Sequence, residues 1–211
     1  MKTKILAITF TLIAGLLNAQ TAKEFTEKGK AMYEKREYMQ AIIYYNQAIE
    51  QDKDYFLAYY MRGKVKEEFD DVHGAMKDFS SCVERNNKFA EGFYARGNIK
   101  FRLQDYFGAI SDYSQTIELN PNHLDAYYKR GQAKQQLDAY QDAISDCTQI
   151  IELNPKSVDA YFLRGVLRLE FGQHEAGCLD LSKAGELGDL KAYDLIREKC
   201  NQRVFDADQR R

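Results

Sequence analysis

Apolar residues recur at helical spacing along most of the chain, and the apolar stripes come in pairs. Within residues 22–55, one stripe starts at Phe25, and a second runs from near Ala41 through Ala48. Apolar residues three and four positions apart form one face of an α-helix. Two helices joined by a short turn pack antiparallel. The pattern therefore predicts a series of helical hairpins.

The paired stripes repeat with a constant period of 34 residues. Each period carries a glycine, an aromatic residue four positions before it and a small residue twelve positions after it. The glycines are Gly29, Gly63, Gly97, Gly131 and Gly165, and the aromatics are Phe25, Tyr59, Phe93, Tyr127 and Tyr161. The small residues are Ala41, Ala75, Ala109, Ala143 and Gly177. Glycine inside a helix costs about 1 kcal/mol relative to alanine, so we expect the partner helix to come very close at each glycine, with the small residue as the facing surface.

This pattern resembles the tetratricopeptide repeat (TPR) family, in which an aromatic, a glycine, further aromatics, alanines and a proline recur at set places in 34 residues. The resemblance implies an all-α fold, a right-handed α-solenoid of five helix-turn-helix units plus a C-terminal capping helix. The repeats span 22–191, with frames 22–55, 56–89, 90–123, 124–157 and 158–191. Residues 192–211 are assigned to the capping helix and a polar tail, and the amphipathic pattern of that helix covers 190–200.

A basic residue replaces the leucine that the family has before the glycine. It is Lys28 in the first repeat and Arg62, Arg96, Arg130 and Arg164 in the others. An aspartate follows each arginine sixteen residues later, at Asp78, Asp112, Asp146 and Asp180. Because an unpaired buried charge is costly, we expect ion pairs within repeats 2 to 5. Two alternatives are pairing between neighbouring repeats and arginines that extend to water.

Four cysteines are present, at positions 82, 147, 178 and 200. Cys82 and Cys147 lie at core positions two repeats apart and are expected to be buried thiols. Cys178 and Cys200 lie at matching distances from the turn that joins two antiparallel helices. We expect a disulfide between them in an exported protein, with two packed thiols as the alternative.

The N-terminal segment has the features of a secretory signal peptide, assigned to residues 1–19. Lys2 and Lys4 precede an uncharged run from Ile5 to Leu17, which is shorter than the roughly 20 residues that span a bilayer. We expect an exported protein, periplasmic or secreted, without a transmembrane segment in the mature chain. An uncleaved N-terminal anchor is the alternative.

Neither the net charge nor any sequence motif indicates nucleic-acid binding, catalysis or a metal site. The net charge is −2, and no concentrated basic patch indicates nucleic-acid binding. We expect no catalytic residues, no metal site and no cofactor, and the sequence predicts that this is not an enzyme.

The resemblance implies that the first helix of each repeat lines a concave groove. The fifth frame position gives an aromatic column, Tyr60, Tyr94, Tyr128 and Phe162, and the ninth gives Lys30, Lys64, Asn98 and Gln132. Tyrosine offers a large contact area with a polar tip, although these rings could equally be structural. The expected function is a protein–protein interaction module that binds a peptide or protein segment, of unknown identity, in this groove. The alternative is a structural subunit of a cell-envelope assembly that uses its convex face or cap.

Overall fold

The computed structural model describes residues 21–200, which form eleven α-helices. The helices are α1 (Ala22–Glu34), α2 (Tyr38–Gln51), α3 (Phe56–Glu68), α4 (Val72–Arg85), α5 (Ala90–Arg102), α6 (Tyr106–Leu119), α7 (Leu124–Gln135), α8 (Tyr140–Leu153), α9 (Val158–Glu170), α10 (His174–Glu186) and α11 (Leu190–Lys199). The all-α architecture of five hairpins and a C-terminal helix is confirmed. The predicted signal peptide and polar tail lie outside the described residues.

Helix starts follow the predicted frames. Each first helix (α1, α3, α5, α7 and α9) begins at the first residue of its frame. α11 begins at Leu190, two residues before the assigned boundary at 192. Gly188 has a φ of 111° there, and the Asp189 side chain accepts a hydrogen bond from the Lys191 backbone N–H at 2.9 Å.

Each first helix ends in the same left-handed turn. The residue in this conformation is Arg36, Asp70, Gln104, Asp138 or Gly172. The next residue donates its N–H back to a carbonyl five positions earlier, as Asp105 does to Lys100 at 2.9 Å. This Schellman motif reverses the chain into the second helix. In four of the five hairpins a residue other than glycine takes the position that most favours glycine.

Contacts divide the chain into two compact units, one ending at Asn87 and the other beginning at Lys88. The first contains α1–α4 and the second α5–α11. In each unit consecutive helices pack on each other, and first helices of neighbouring repeats also pack together, α1 on α3 and α5 on α7. Among residues 21–200, second helices of neighbouring repeats do not pack to that extent. The first helices therefore lie on the inner side of each unit.

The repeated glycines make room for large side chains on the second helix. A Cβ on Gly97 would lie 2.8 Å from Cε1 of Tyr113, and one on Gly63 would lie 2.7 Å from Cε1 of Phe79. The partner helix comes close at these glycines, as expected, but the nearest atoms do not belong to the small residue twelve positions later. They belong to the ring sixteen residues later in the first three repeats, because that side chain points into the hairpin.

The predicted arginine–aspartate pairs all form within their own repeats. Nε and Nη2 of Arg62 donate to the two carboxylate oxygens of Asp78 at 2.8 and 2.6 Å. The other pairs are Arg96–Asp112, Arg130–Asp146 and Arg164–Asp180. Each aspartate is buried, and each arginine is largely buried. Pairing within the repeat is confirmed.

Two further partners of these pairs were missed from the sequence. One helical turn after each arginine, a second cation binds the same carboxylate, from Lys66, Lys100, Lys134 or Arg168. The guanidinium also reaches the preceding second helix. Arg130 donates to Ser114 Oγ at 3.0 Å, and Arg164 donates to Thr148 Oγ1 at 3.1 Å. Each of these arginines thus joins three helices.

Candidate functional site

The inner face of each unit consists of the side chains at the second, fifth and ninth positions of the first helices. In the first unit the fifth position holds Thr26 and Tyr60, and in the second it holds Tyr94, Tyr128 and Phe162. Thr26 is fully buried, and its hydroxyl donates to the carbonyl of Ala22 at 2.8 Å. The four aromatic side chains are partly exposed, so part of the surface of each ring faces solvent.

Packing fixes the orientation of the inner-face tyrosines. The Tyr94 ring centroid lies 4.6 Å from that of His123 and 5.9 Å from that of Tyr113. Tyr128 packs against two buried clusters, one around Cys147 and one around Tyr127. Burial raises the pKa of Tyr94 and of Tyr128 above the usual value for tyrosine. The hydroxyls stay protonated at neutral pH, and the rings are rigid.

Polar side chains at the ninth position are held by neighbours. Lys30 pairs with Glu27 at 2.7 Å, and the ammonium of Lys64 lies 5.6 Å from the centre of the Tyr33 ring. Asn98 Oδ1 accepts from the Tyr113 hydroxyl at 2.9 Å. The Asn98 side chain also hydrogen-bonds the Tyr94 hydroxyl, so its –NH₂ group keeps one further N–H as a donor.

Gln132 occupies the same position one repeat later. Its Oε1 accepts a hydrogen bond from Lys129 Nζ at 3.3 Å, which again leaves the amide nitrogen as a donor. The two amides are therefore fixed through their oxygens.

The fifth repeat differs because the capping helix lies beside it. Phe162 and Val166 pack against a buried cluster of Leu181 and Ala184 from α10 and Ala192 from α11. Phe162 therefore helps to anchor α11 as well as lining the inner face.

A row of carboxylates borders the inner face of the second unit. Glu91, Asp125 and Asp159 lie in the first turns of α5, α7 and α9 and are exposed. Negative charge is favourable at these positive helix ends. In the first unit the second position instead holds Lys23 and Leu57. The two inner faces thus differ in charge.

The four cysteines form one disulfide and two buried thiols. Cys178 and Cys200 form a disulfide that joins α10 to the end of α11, with their Cα atoms 6.1 Å apart. Cys82 and Cys147 are buried and form no disulfide within residues 21–200. Burial, followed by the charge of Asp146, raises the pKa of the Cys147 thiol to about 12, so this thiol is unreactive near neutral pH.

Family models match three overlapping stretches of the second unit. Two described as "Tetratricopeptide repeat" match residues 124–157 and 147–178, and one described as "TPR repeat" matches residues 97–138. The chain thus contains tetratricopeptide repeats. No curated protein sequence matches it.

Solved TPR structures share the fold. The structure of YrrB, described as a TPR protein with an unusual peptide-binding site, is 21% identical with a TM-score of 0.77, over 84% of this chain and 92% of that one. A MamA structure is 23% identical, with a TM-score of 0.74 over 82% of this chain and 94% of that one. MamA of Desulfovibrio magneticus RS-1 is 17% identical, with a TM-score of 0.72 over 79% and 94%.

This TPR fold is typical of protein–protein interaction modules rather than of enzymes. Among residues 21–200, no helix combines the length and apolar character needed to cross a membrane. Within the same range, no three His, Cys, Asp or Glu side chains are grouped as a metal ion requires. The candidate site is thus the inner face of the TPR units, with aromatic rings, amides and a charged border.

Proposed function

We propose that this TPR protein is an exported binding module that holds a peptide or protein segment on the inner face of its first helices. The observation that carries this proposal is the pair of packed, partly exposed rings of Tyr94 and Tyr128 in the second unit. Such rings give large contact area with little loss of conformational entropy. Amides such as Asn98 and Gln132 can bond a peptide backbone without selecting its sequence.

Two observations support this use of the inner face and export from the cytoplasm. YrrB, which shares the fold, is described as having a peptide-binding site. The pairing of Cys178 with Cys200 suits an oxidising compartment, where disulfides persist. Together with the predicted leader at residues 1–19, this favours the periplasm or the medium.

The alternative function is a structural subunit that assembles through its second helices. It is favoured by two exposed apolar side chains on that side of the second unit, Phe107 on α6 at 75% exposure and Leu179 on α10 at 71%. Exposed apolar side chains of this size are candidates for contact with a partner. Phe107 therefore supplies the comparison that separates the two functions.

A pull-down from envelope extract tests both functions. The mature protein is compared with a Tyr94→Ala/Tyr128→Ala variant and with a Phe107→Ala variant, after thermal melts confirm that all three are folded. We expect a partner, identified by mass spectrometry, that is retained by Phe107→Ala and lost from the tyrosine variant. Loss from Phe107→Ala alone would assign binding to the second helices and overturn the proposal.

A further inference from the structure

A tyrosine and a carboxylate recur together on the inner face of the second unit. Tyr94 on α5 is followed 31 residues later by Asp125 on α7, and Tyr128 on α7 is followed 31 residues later by Asp159 on α9. The Tyr94 ring contacts His123, two residues before Asp125, with centroids 4.6 Å apart, and Tyr128 packs on a cluster that includes Ala160, next to Asp159. Each carboxylate therefore lies beside the helix start that touches the ring of the preceding repeat. The second unit thus presents the same pair twice.

An aromatic face beside an exposed carboxylate is suited to a Lys or Arg side chain. The ring attracts the cation through its π-system, at about 0.5–1 kcal/mol for exposed sites. The carboxylate adds a charge-assisted hydrogen bond. Asp125 and Asp159 are exposed. The cations that follow them on α7 and α9 are paired elsewhere: Arg130 and Lys134 with Asp146, and Arg164 and Arg168 with Asp180. The nearby Lys129 is directed toward Gln132 and the Phe101 ring.

The spacing of the first helices sets the spacing of the partner's charges. Packed helices lie about 8–10 Å apart. A polyproline II segment has three residues per turn and rises about 3.1 Å per residue, so it presents one face about every 9 Å. Its backbone groups are free to accept hydrogen bonds from Asn98 and Gln132. Cations at every third residue would therefore meet successive tyrosine–carboxylate pairs.

We infer that the inner face of the second unit binds a basic segment in polyproline II conformation, with Lys or Arg at every third position. This rests on the proposed function, since it specifies what occupies the same face. The carboxylate border, formed by Glu91, Asp125 and Asp159, supplies the charge complementarity. The first unit lacks the pair, because Thr26 is buried and Leu57 replaces the carboxylate.

Labelled synthetic peptides test the inference by fluorescence anisotropy. Four probes of about 12 residues, or four polyproline II turns, suffice. They are a Pro-Pro-Arg repeat, its Gln and Glu counterparts, and an isomer of the first with all arginines contiguous. We expect the Pro-Pro-Arg probe to bind at least about tenfold more tightly than the other three, and more weakly as salt rises.

Variants assign the charge preference to the two aspartates. Asp125→Asn/Asp159→Asn is expected to weaken Pro-Pro-Arg binding about tenfold, the loss of about 1.4 kcal/mol. The matched control is Asp142→Asn/Glu175→Gln, which removes two exposed carboxylates from the first turns of α8 and α10. The control should change binding less than twofold. Its melting temperature should change about as much as that of Asp125→Asn/Asp159→Asn.

The outcomes separate this inference from the proposed function. If the Gln probe bound as tightly as the Pro-Pro-Arg probe, the charge preference would be overturned. If the contiguous isomer bound as tightly, the spacing preference would be overturned. If Tyr94→Ala/Tyr128→Ala still weakened that binding, inner-face recognition would stand. Absence of binding by the Pro-Pro-Arg probe would also overturn the inference, whereas the pull-down judges the proposed function separately.

Discussion

Lys134 Nζ lies 2.8 Å from Asp146 Oδ2, so that this carboxylate, only 3% exposed, binds a second cation besides Arg130. Two positive charges thus depend on one buried negative charge. Lys134 and Arg130 are themselves only 16% and 17% exposed. Asp146 therefore neutralises two cations that would be costly to bury without it.

Replacing Asp146 with alanine should destabilise the protein by about 3–5 kcal/mol, because both cations lose their partner at a largely buried site. Urea unfolding followed by circular dichroism measures the change. Asp142→Asn on the same helix removes an exposed carboxylate and should cost less than about 1 kcal/mol. Equal losses in the two variants would contradict this account.

Two equivalent glycines should respond oppositely to alanine. A Cβ at Gly97 would meet the Tyr113 ring at 2.8 Å, whereas the nearest atom to one at Gly131 is a carbonyl oxygen at 3.6 Å. Gly131→Ala should stabilise by about 0.5–1 kcal/mol through helix propensity, and Gly97→Ala should destabilise. Unfolding midpoints check both signs, and the same sign in both would contradict the packing.

Buried tyrosine hydroxyls give another contrasting pair. Tyr45 Oη is buried and makes no hydrogen bond with residues 21–200, whereas the Tyr113 hydroxyl donates to Asn98. Tyr45→Phe should therefore be neutral or stabilising, and Tyr113→Phe should cost about 1 kcal/mol. Denaturant titration distinguishes them. A clear loss in Tyr45→Phe would show that its hydroxyl has a partner.

Alkaline pH should unfold the protein partly through the same two tyrosines. Burial raises the pKa of Tyr45 and of Tyr113 above the usual 10, so the folded protein holds these protons more tightly than the unfolded chain. The stability they give is complete below pH 10 and falls as pH rises above it. A Tyr45→Phe/Tyr113→Phe variant should lose stability less steeply between about pH 9 and 11, and an unchanged slope would exclude these groups.

Thiol counts test the disulfide and the buried cysteines together. The denatured, unreduced protein should show two thiols, from Cys82 and Cys147, and the reduced protein should show four. In the native state at pH 8, Cys147 should react slowly because its pKa is raised to about 12. Four thiols before reduction would mean that Cys178 and Cys200 are packed thiols instead.

Removing the disulfide should cost about 3 kcal/mol, since the two cysteines are 22 residues apart and close a loop of that length. Urea unfolding of Cys178→Ser/Cys200→Ser measures this cost. A Cys82→Ser variant shows the separate effect of changing a buried thiol.

Periodic features of the fold follow directly from the sequence. The starts of the first helices and the Arg130–Asp146 type of pair both depend on residue types recurring at constant offsets. Such offsets determine which faces of two antiparallel helices meet. The second cation was equally visible, since Lys134 follows Arg130 by four residues and thus shares its helix face.

The burial of individual side chains and the residues they contact could not be predicted from sequence spacing alone. Thr26 holds the repeat position that the aromatic column occupies in the later repeats, but its short side chain turns inward to the carbonyl of Ala22. Phe162 serves the cap because α11 packs beside it. The position facing Gly131 holds Cys147 in place of an aromatic, so that only packing reveals the spare room there. In each case, the side chain's size relative to its cavity decides the outcome.

The three-helix contacts of Arg130 and Arg164 have a consequence for how the second unit unfolds. Each guanidinium ties a hairpin to the second helix before it, so opening one repeat breaks charged hydrogen bonds in the next. In a one-dimensional lattice of repeats, this raises the nearest-neighbour coupling relative to the intrinsic stability of each hairpin. Strong coupling suppresses fraying from the ends, and we expect hydrogen exchange in α7, α8 and α9 to report one shared opening event.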